Sequence, residues 1–191
     1  MKERFQLPLR LEVSFKISGH PSKNKSYKNM FLPSILTNHA AKIITQMQQK
    51  NLTLVCAESC TGGLLSALFT DISGSSKVIE RGYVTYSNEA KIELLGVKKE
   101  TIENFGAVSS ETAAEMAKGA CRNSESNVVI SITGIAGPDG GSENKPVGLV
   151  YIGFCFAKKN QVRKFNFSGN RDEIRKAAIT AALQIIEAGI Q

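Results

Sequence analysis

From Ser34 onward, stretches whose apolar residues recur at helical spacing alternate with short apolar or β-branched runs bounded by turn residues. That alternation confines the chain to an α/β layered domain. Ile35, Ala40, Ile43, Ile44 and Met47 predict a first helix, and Leu52 to Ala57 a buried strand. Leu64, Leu65, Leu68 and Phe69 predict a second helix beginning at Gly62, and Lys77 to Tyr86 a second strand. Short helices follow over Asn88 to Leu95 and Thr101 to Phe105, then one capped by Ser109 or Ser110 and running to Cys121. Asn127 to Thr133 is the next strand, and a glycine-rich loop from Gly134 to Lys145 leads to the strand Val147 to Ala157. Asn160 to Phe167 is expected to pair with it as an antiparallel hairpin, and Asp172 to Ala188 to close the chain as a helix. The order predicts one domain over residues 30–191, with a mixed, mostly parallel sheet covered by helices on both faces.

The amino-terminal arm, residues 1–29, reads differently. It carries +5 of the +7 net charge. Phe5, Leu7, Leu9, Leu11, Val13, Phe15 and Ile17 alternate as in a half-buried strand, and Pro8 restricts such a strand to a sheet edge. Gly19 to Asn29 is a basic linker. The arm is either an added strand or oligomer contact, or the product of a start upstream of a true start at Met30. The body offers no basic stripe with interleaved aromatics, which disfavours nucleic acid as a partner. Apolar runs such as Gly148 to Ala157 are about half the roughly 18 residues a spanning helix needs, and no continuous apolar segment resembles a secretory signal. The expectation is a cytoplasmic protein without a membrane partner. Cys56, Cys60, Cys121 and Cys155 sit in apolar or helical segments, as reduced thiols do, and their spacing suits neither a redox pair nor a zinc site. The only histidines, His20 and His39, precede every segment that looks chemical, so a histidine-based triad or metal cluster is not expected.

Three segments can carry chemistry. The strand ending Val55-Cys56-Ala57 runs through Glu58-Ser59-Cys60-Thr61-Gly62-Gly63 into a helix, a turn that puts side chains and free N–H groups at the carboxyl edge of a sheet. A helix start there favours a phosphate or an oxyanion. Equally, Ser59 or Thr61 can be a plain N-cap and the glycines a packing device. Tyr86-Ser87-Asn88-Glu89-Ala90-Lys91 places a lysine on the first turn of a helix, where the dipole disfavours its charged form. Lys91 is then either a solvated surface residue or a base with a lowered pKa, and Tyr86 a strand aromatic or a proton relay. Thr133, Gly134 and Gly137 stand at a strand end where glycine lets backbone approach a ligand. Arg171, with Arg175 one turn on, can offer a guanidinium to a phosphate or carboxylate, or merely pair on the surface.

Taken in order, Ala57-Glu58-Ser59-Cys60-Thr61-Gly62-Gly63, Tyr86-Ser87-Asn88-Glu89-Ala90-Lys91, Gly106-Ala107-Val108-Ser109, Thr133-Gly134-Ile135-Ala136-Gly137-Pro138 and Lys145-Pro146-Val147-Gly148 resemble the CinA carboxy-terminal domain family, the nicotinamide-nucleotide amidohydrolases. The resemblance covers roughly residues 33 to 188. It implies a three-layer α/β/α sandwich and metal-free, cofactor-free hydrolysis of the carboxamide of nicotinamide mononucleotide to nicotinic acid mononucleotide and ammonia. It further implies Ser59 as nucleophile and Lys91 as base, with Tyr86 nearby. The N–H groups of Thr61, Gly62 and Gly63, or those near Thr133 and Gly134, are then expected to hold the oxyanion, and Arg171 the substrate phosphate. Cys60 is intrinsically the better nucleophile, but beside Ser59 on a turn it is expected to point into the core. Longer family members resemble fusions with an amino-terminal nucleotide-processing domain, and the stand-alone form is the expectation here. A homo-oligomer is expected from the arm's edge strand and small-residue helices. The alternative function is a catalytically silent nucleotide-binding or regulatory module, with a competence or DNA link suggested by the family's name.

Overall fold

The centre of the sheet explains the architecture. β1 (Leu54–Glu58) is buried at every position, and it pairs in parallel with β2 (Ile79–Val84) on one side and β3 (Val128–Gly134) on the other. A strand covered on both faces reads as a continuous apolar run rather than an alternating one, as Leu54 to Ala57 does. β4 (Leu149–Phe156) runs antiparallel beside β3, and β5 (Lys159–Asn166) antiparallel beside β4. The order is β2-β1-β3-β4-β5, so β4 alone opposes the other four strands. The computed structural model describes residues 32–157 and 159–191. The strand expected over residues 5–17, the linker 19–29 and the alternative start at Met30 lie outside the described residues.

Helices cover both faces. α1 (Ser34–Gln49), α2 (Leu64–Thr70) and α6 (Arg171–Gly189) pack with Cys56, Ile130 and Ile132 into one core. α3 (Asn88–Leu95), α4 (Lys99–Phe105) and α5 (Ser110–Arg122) lie over Val55, Ala57 and Val129 on the other face. Neighbouring strand residues thus enter opposite cores, the period-two geometry of a pleated strand. In α1 the buried stripe is Leu36, Ala40, Ile43, Ile44 and Met47. Burying a side chain such as Ile43 contributes about 2 kcal/mol. Ile35, placed in that stripe by sequence spacing, is instead 74% exposed, with Leu36 in its place.

Most predicted boundaries move by one or two residues, for local reasons. β2 begins at Ile79 because Ser75–Lys77 coil into a 3₁₀ turn. β4 begins at Leu149 because Gly148, at φ +95°, turns the chain after Pro146. The Ser109 hydroxyl accepts the Thr112 N–H at 3.1 Å and starts α5. Asn170 and Glu173 form a reciprocal capping box at the start of α6. No helix among the described residues is long and apolar enough to cross a membrane.

Candidate active site

Glu58 at the end of β1 lies beside Val84 in β2 and Ile132 in β3. Three parallel strands therefore release their following segments at one edge, where α/β sheets bind ligands. These segments surround a cavity of about 250 Å³. Ser59 and Cys60 enter it from the β1–α2 turn, Tyr86 from the β2–α3 connection, Lys91 from the first turn of α3, and Ala107 and Val108 from the loop before α5. Thr133, Gly134 and Gly137 come from the end of β3, and Arg171 from the first residue of α6.

Lys91 is the unusual member. Its side chain is 1% exposed, and Nζ lies 2.9 Å from Ser59 Oγ, 2.8 Å from the Thr85 carbonyl and 3.4 Å from the Ser87 carbonyl. No carboxylate pairs with it among the described residues, whereas buried charges are as a rule paired. Burial pushes the ammonium below its usual pKa, against opposing influences of Cys60 and Glu89. Nζ donates to all three oxygens, one hydrogen for each, and loss of the proton that faces Ser59 leaves a lone pair aimed at its hydroxyl. Ser59 is 7% exposed, and its own N–H is spent on the Ile132 carbonyl at 2.9 Å. Cys60 belongs to the main core, and burial, with Glu58 adding, pushes its thiol up to about 12.

The remaining polar walls are tied to one another. Arg171 donates from Nη1 to the Gly137 carbonyl at 2.8 Å and from Nη2 to the Tyr86 hydroxyl at 3.0 Å, bridging opposite sides of the mouth. Tyr86 is 62% exposed and its hydrogen bond goes to Arg171 rather than to Ser59 or Lys91. Thr133 donates its hydroxyl to the Ala107 carbonyl at 2.7 Å. Gly134 is hemmed in, since a Cβ there would lie 2.7 Å from the Leu149 carbonyl oxygen. Arg171 and Ala136 also border a larger cavity of about 640 Å³, shared with Pro138, Val147 and Arg175.

Residues 36–190 match the CinA C-terminal domain. The chain belongs to the CinA family. Over 134 residues it is 56% identical to a CinA-like protein of Endomicrobium trichonymphae, covering 70% of this chain and 31% of that protein. The chain spans about a third of the length of the curated relatives it matches. Among solved structures, the competence/damage inducible protein CihA from Agrobacterium tumefaciens superposes with a TM-score of 0.82 at 43% identity, over 84% of this chain and 98% of that one. A CinA superfamily protein from Escherichia coli gives 0.76 at 32% identity, over 78% and 87%.

Within this CinA domain the β1–α2 turn departs from its sequence-based reading. Neither Ser59 nor Thr61 caps α2. The N-cap is Gly63, which has no side chain to offer; the Leu64 N–H goes to the Thr61 carbonyl, and those of Leu65 and Ser66 go to the Glu58 carboxylate. An internal carboxylate thus occupies the helix end expected to attract an external anion. Thr61, Gly62 and Gly63 are not among the cavity's walls. Thr61 is fully buried and its carbonyl accepts from Arg175 Nη2 at 2.6 Å, while the Gly62 N–H is spent on the Ser59 carbonyl at 2.9 Å. Among the described residues, no carbonyl or carboxylate takes the N–H of Cys60 or Thr61. Sequence reasoning overlooked Glu58, and also Asn88 and Asp139, which line the cavity. The described residues contain no group of three or more metal-ligating side chains. His39 is engaged elsewhere, bonded to Glu187 of α6 at 2.8 Å.

Proposed function

We propose that the CinA domain hydrolyses the carboxamide of nicotinamide mononucleotide, giving nicotinic acid mononucleotide and ammonia. The observation that carries the chemistry is the 2.9 Å approach of a buried, carboxylate-free Lys91 amine to the Ser59 hydroxyl. The substrate rests on the family resemblance. Among the described residues no histidine borders the cavity, so the Lys91 amine, whose neutral form burial favours, is the available base for a hydroxyl.

Ser59 Oγ attacks the amide carbon as its proton moves to Lys91 Nζ. The tetrahedral oxyanion forms beside the β1–α2 turn, where Cys60 lines the cavity and its N–H serves as donor. Loss of one such donor typically costs about 3 kcal/mol of transition-state stabilisation. Lys91 then passes its proton to the departing nitrogen, the C–N bond breaks, and ammonia leaves an acyl ester on Ser59. Water attacks the ester, Lys91 accepts its proton and returns it to Ser59, and the carboxylate product is released. The Thr85 and Ser87 carbonyls steady the transient ammonium throughout. Arg171 offers its guanidinium to the phosphate at the cavity mouth, in exchange for its contacts to Tyr86 and Gly137.

The test is ammonia release from nicotinamide mononucleotide with a chelator present, comparing the parent with Ser59→Ala and Lys91→Ala. Turnover by the parent and by neither variant supports the reading. A folded parent that binds the nucleotide without turnover moves the assignment to a silent nucleotide-binding module.

A further inference from the structure

Glu58 joins the two halves of the site. Its main-chain carbonyl accepts the Thr85 N–H at 2.8 Å, and the Thr85 carbonyl in turn accepts from Lys91 Nζ at 2.8 Å. Its carboxylate is fully buried and accepts three hydrogen bonds, from Leu65 N at 3.1 Å, Ser66 N at 2.8 Å and Ser66 Oγ at 2.7 Å. Between Glu58 and this anchor on α2 lies only the turn that bears Ser59, closed by the Gly62 N–H on the Ser59 carbonyl. One residue thus fixes the arch carrying the hydroxyl and, through Thr85, the carbonyl that aims the amine.

From this junction we infer that Glu58 is the positioning residue of the Ser59–Lys91 pair, its carboxylate holding the Ser59 turn in register with the lysine; the inference rests on the proposed roles of those two residues. A carboxylate fits better than any neutral side chain. Both oxygens face donors only, and the start of a helix favours negative charge. An amide in its place presents an NH₂ group to backbone N–H donors and loses one of the two accepting oxygens. A plain capping role would make Glu58 a matter of stability alone. Positioning requires that the reactivity of Ser59 depend on it even in a folded protein.

The experiment uses the full chain and two readouts, kcat and KM for nicotinamide mononucleotide, and the rate at which a fluorophosphonate labels Ser59, followed by mass spectrometry. The variants are Glu58→Gln, Glu58→Asp and Ser66→Ala, each checked by circular dichroism. Misplacing a reacting group by about 1 Å costs about 100-fold in rate, and a loss of that order in both kcat and labelling, with KM unchanged, is expected for Glu58→Gln. Ser66→Ala, which removes one of the three bonds, is expected to lose less, and Glu58→Asp, which keeps both oxygens, to recover part of the rate. Folded variants that label at the parental rate, or that change KM alone, overturn the inference. If Glu58→Gln does not fold, parental labelling by Ser66→Ala is sufficient to overturn it. A parent that labels at Ser59 without releasing ammonia defeats the proposed substrate and leaves the positioning role standing. A parent that does not label overturns it, because Ser59 is then not activated.

Discussion

Ser59 Oγ and Lys91 Nζ stand 2.9 Å apart although 32 residues separate them in the chain. Parallel pairing of β1 with β2 produces this approach: Glu58 and Val84 are register partners, so the residues that follow each strand emerge side by side. The approach is thus set by the sheet, and among the described residues no carboxylate bonds to the amine.

The amine's environment sets a pH dependence. Burial lowers the Lys91 pKa from the usual 10.5, so this amine is neutral at lower pH than that of an exposed lysine. Turnover is expected to rise with pH through that lowered value and to level off before 10.5, as a pH profile of kcat/KM will show. The linkage sign follows. Between the folded and unfolded pKa the unfolded chain binds more protons, so stability rises with pH in that window. Thermal melts of the parent and Lys91→Met should therefore diverge in the parent's favour as pH rises toward 10.5.

Lys91→Arg separates charge from basicity. Arginine keeps the cation but does not deprotonate in proteins, so this variant is expected to lose turnover as completely as Lys91→Ala. Ammonia release by Lys91→Arg at a tenth of the parental rate or more would show that the residue acts by charge alone.

Cys60 is expected to be inert despite its place beside Ser59. With its thiol pushed up to about 12, only about one molecule in 10⁴ carries the thiolate at pH 8. Iodoacetamide at that pH should leave Cys60 unmodified for hours in the folded protein, as peptide mass spectrometry can follow. Rapid alkylation there would reopen the choice of nucleophile.

Arg171 is expected to act on substrates through their anionic group. A hydrogen bond to a charged group contributes about 1.5–3 kcal/mol, so Arg171→Ala should raise KM for nicotinamide mononucleotide by about 10- to 100-fold. Nicotinamide riboside, which lacks the phosphate, should be turned over equally by parent and variant. A matching loss on both substrates would place Arg171 in the architecture of the mouth rather than on the phosphate.

Gly134→Ala should destabilise the domain. The added methyl would meet the Leu149 carbonyl oxygen at 2.7 Å and the Val150 backbone at 3.0 Å. Overpacking of this kind costs about 1–3 kcal/mol, measurable as a lowered midpoint in urea.

Local chemistry made much of this legible before any coordinates. α3 spans Asn88–Leu95 as the sequence predicts, because Ser87 caps one end and left-handed Gly96 stops the other. Ser59 and Lys91 stood out separately for the same reason: each follows a strand and sits at or near a helix start. The contacts that organise the site were not legible. The carboxylate of Glu58 reaches Ser66, eight residues on, and Arg175 reaches Thr61 across 114 residues, and no spacing rule encodes either. Nor does the sequence reveal that the start of α2 holds an anion of the chain's own, the Glu58 carboxylate. Sheet order is similarly hidden in local patterns, since β1 lies between β2 and β3 only through pairings formed after folding.

The shared wall at Arg171 has a consequence for inhibitors. The smaller cavity confines whatever contacts Ser59 to about 250 Å³, while beyond the guanidinium a second space of about 640 Å³ stands open. A boronic acid or aldehyde warhead sized for the first space, joined through an anion at Arg171 to an apolar tail facing Pro138 and Val147, would occupy both. Its selectivity over serine hydrolases that use histidine would come from the tail and the anion, because the warhead chemistry is common to them all.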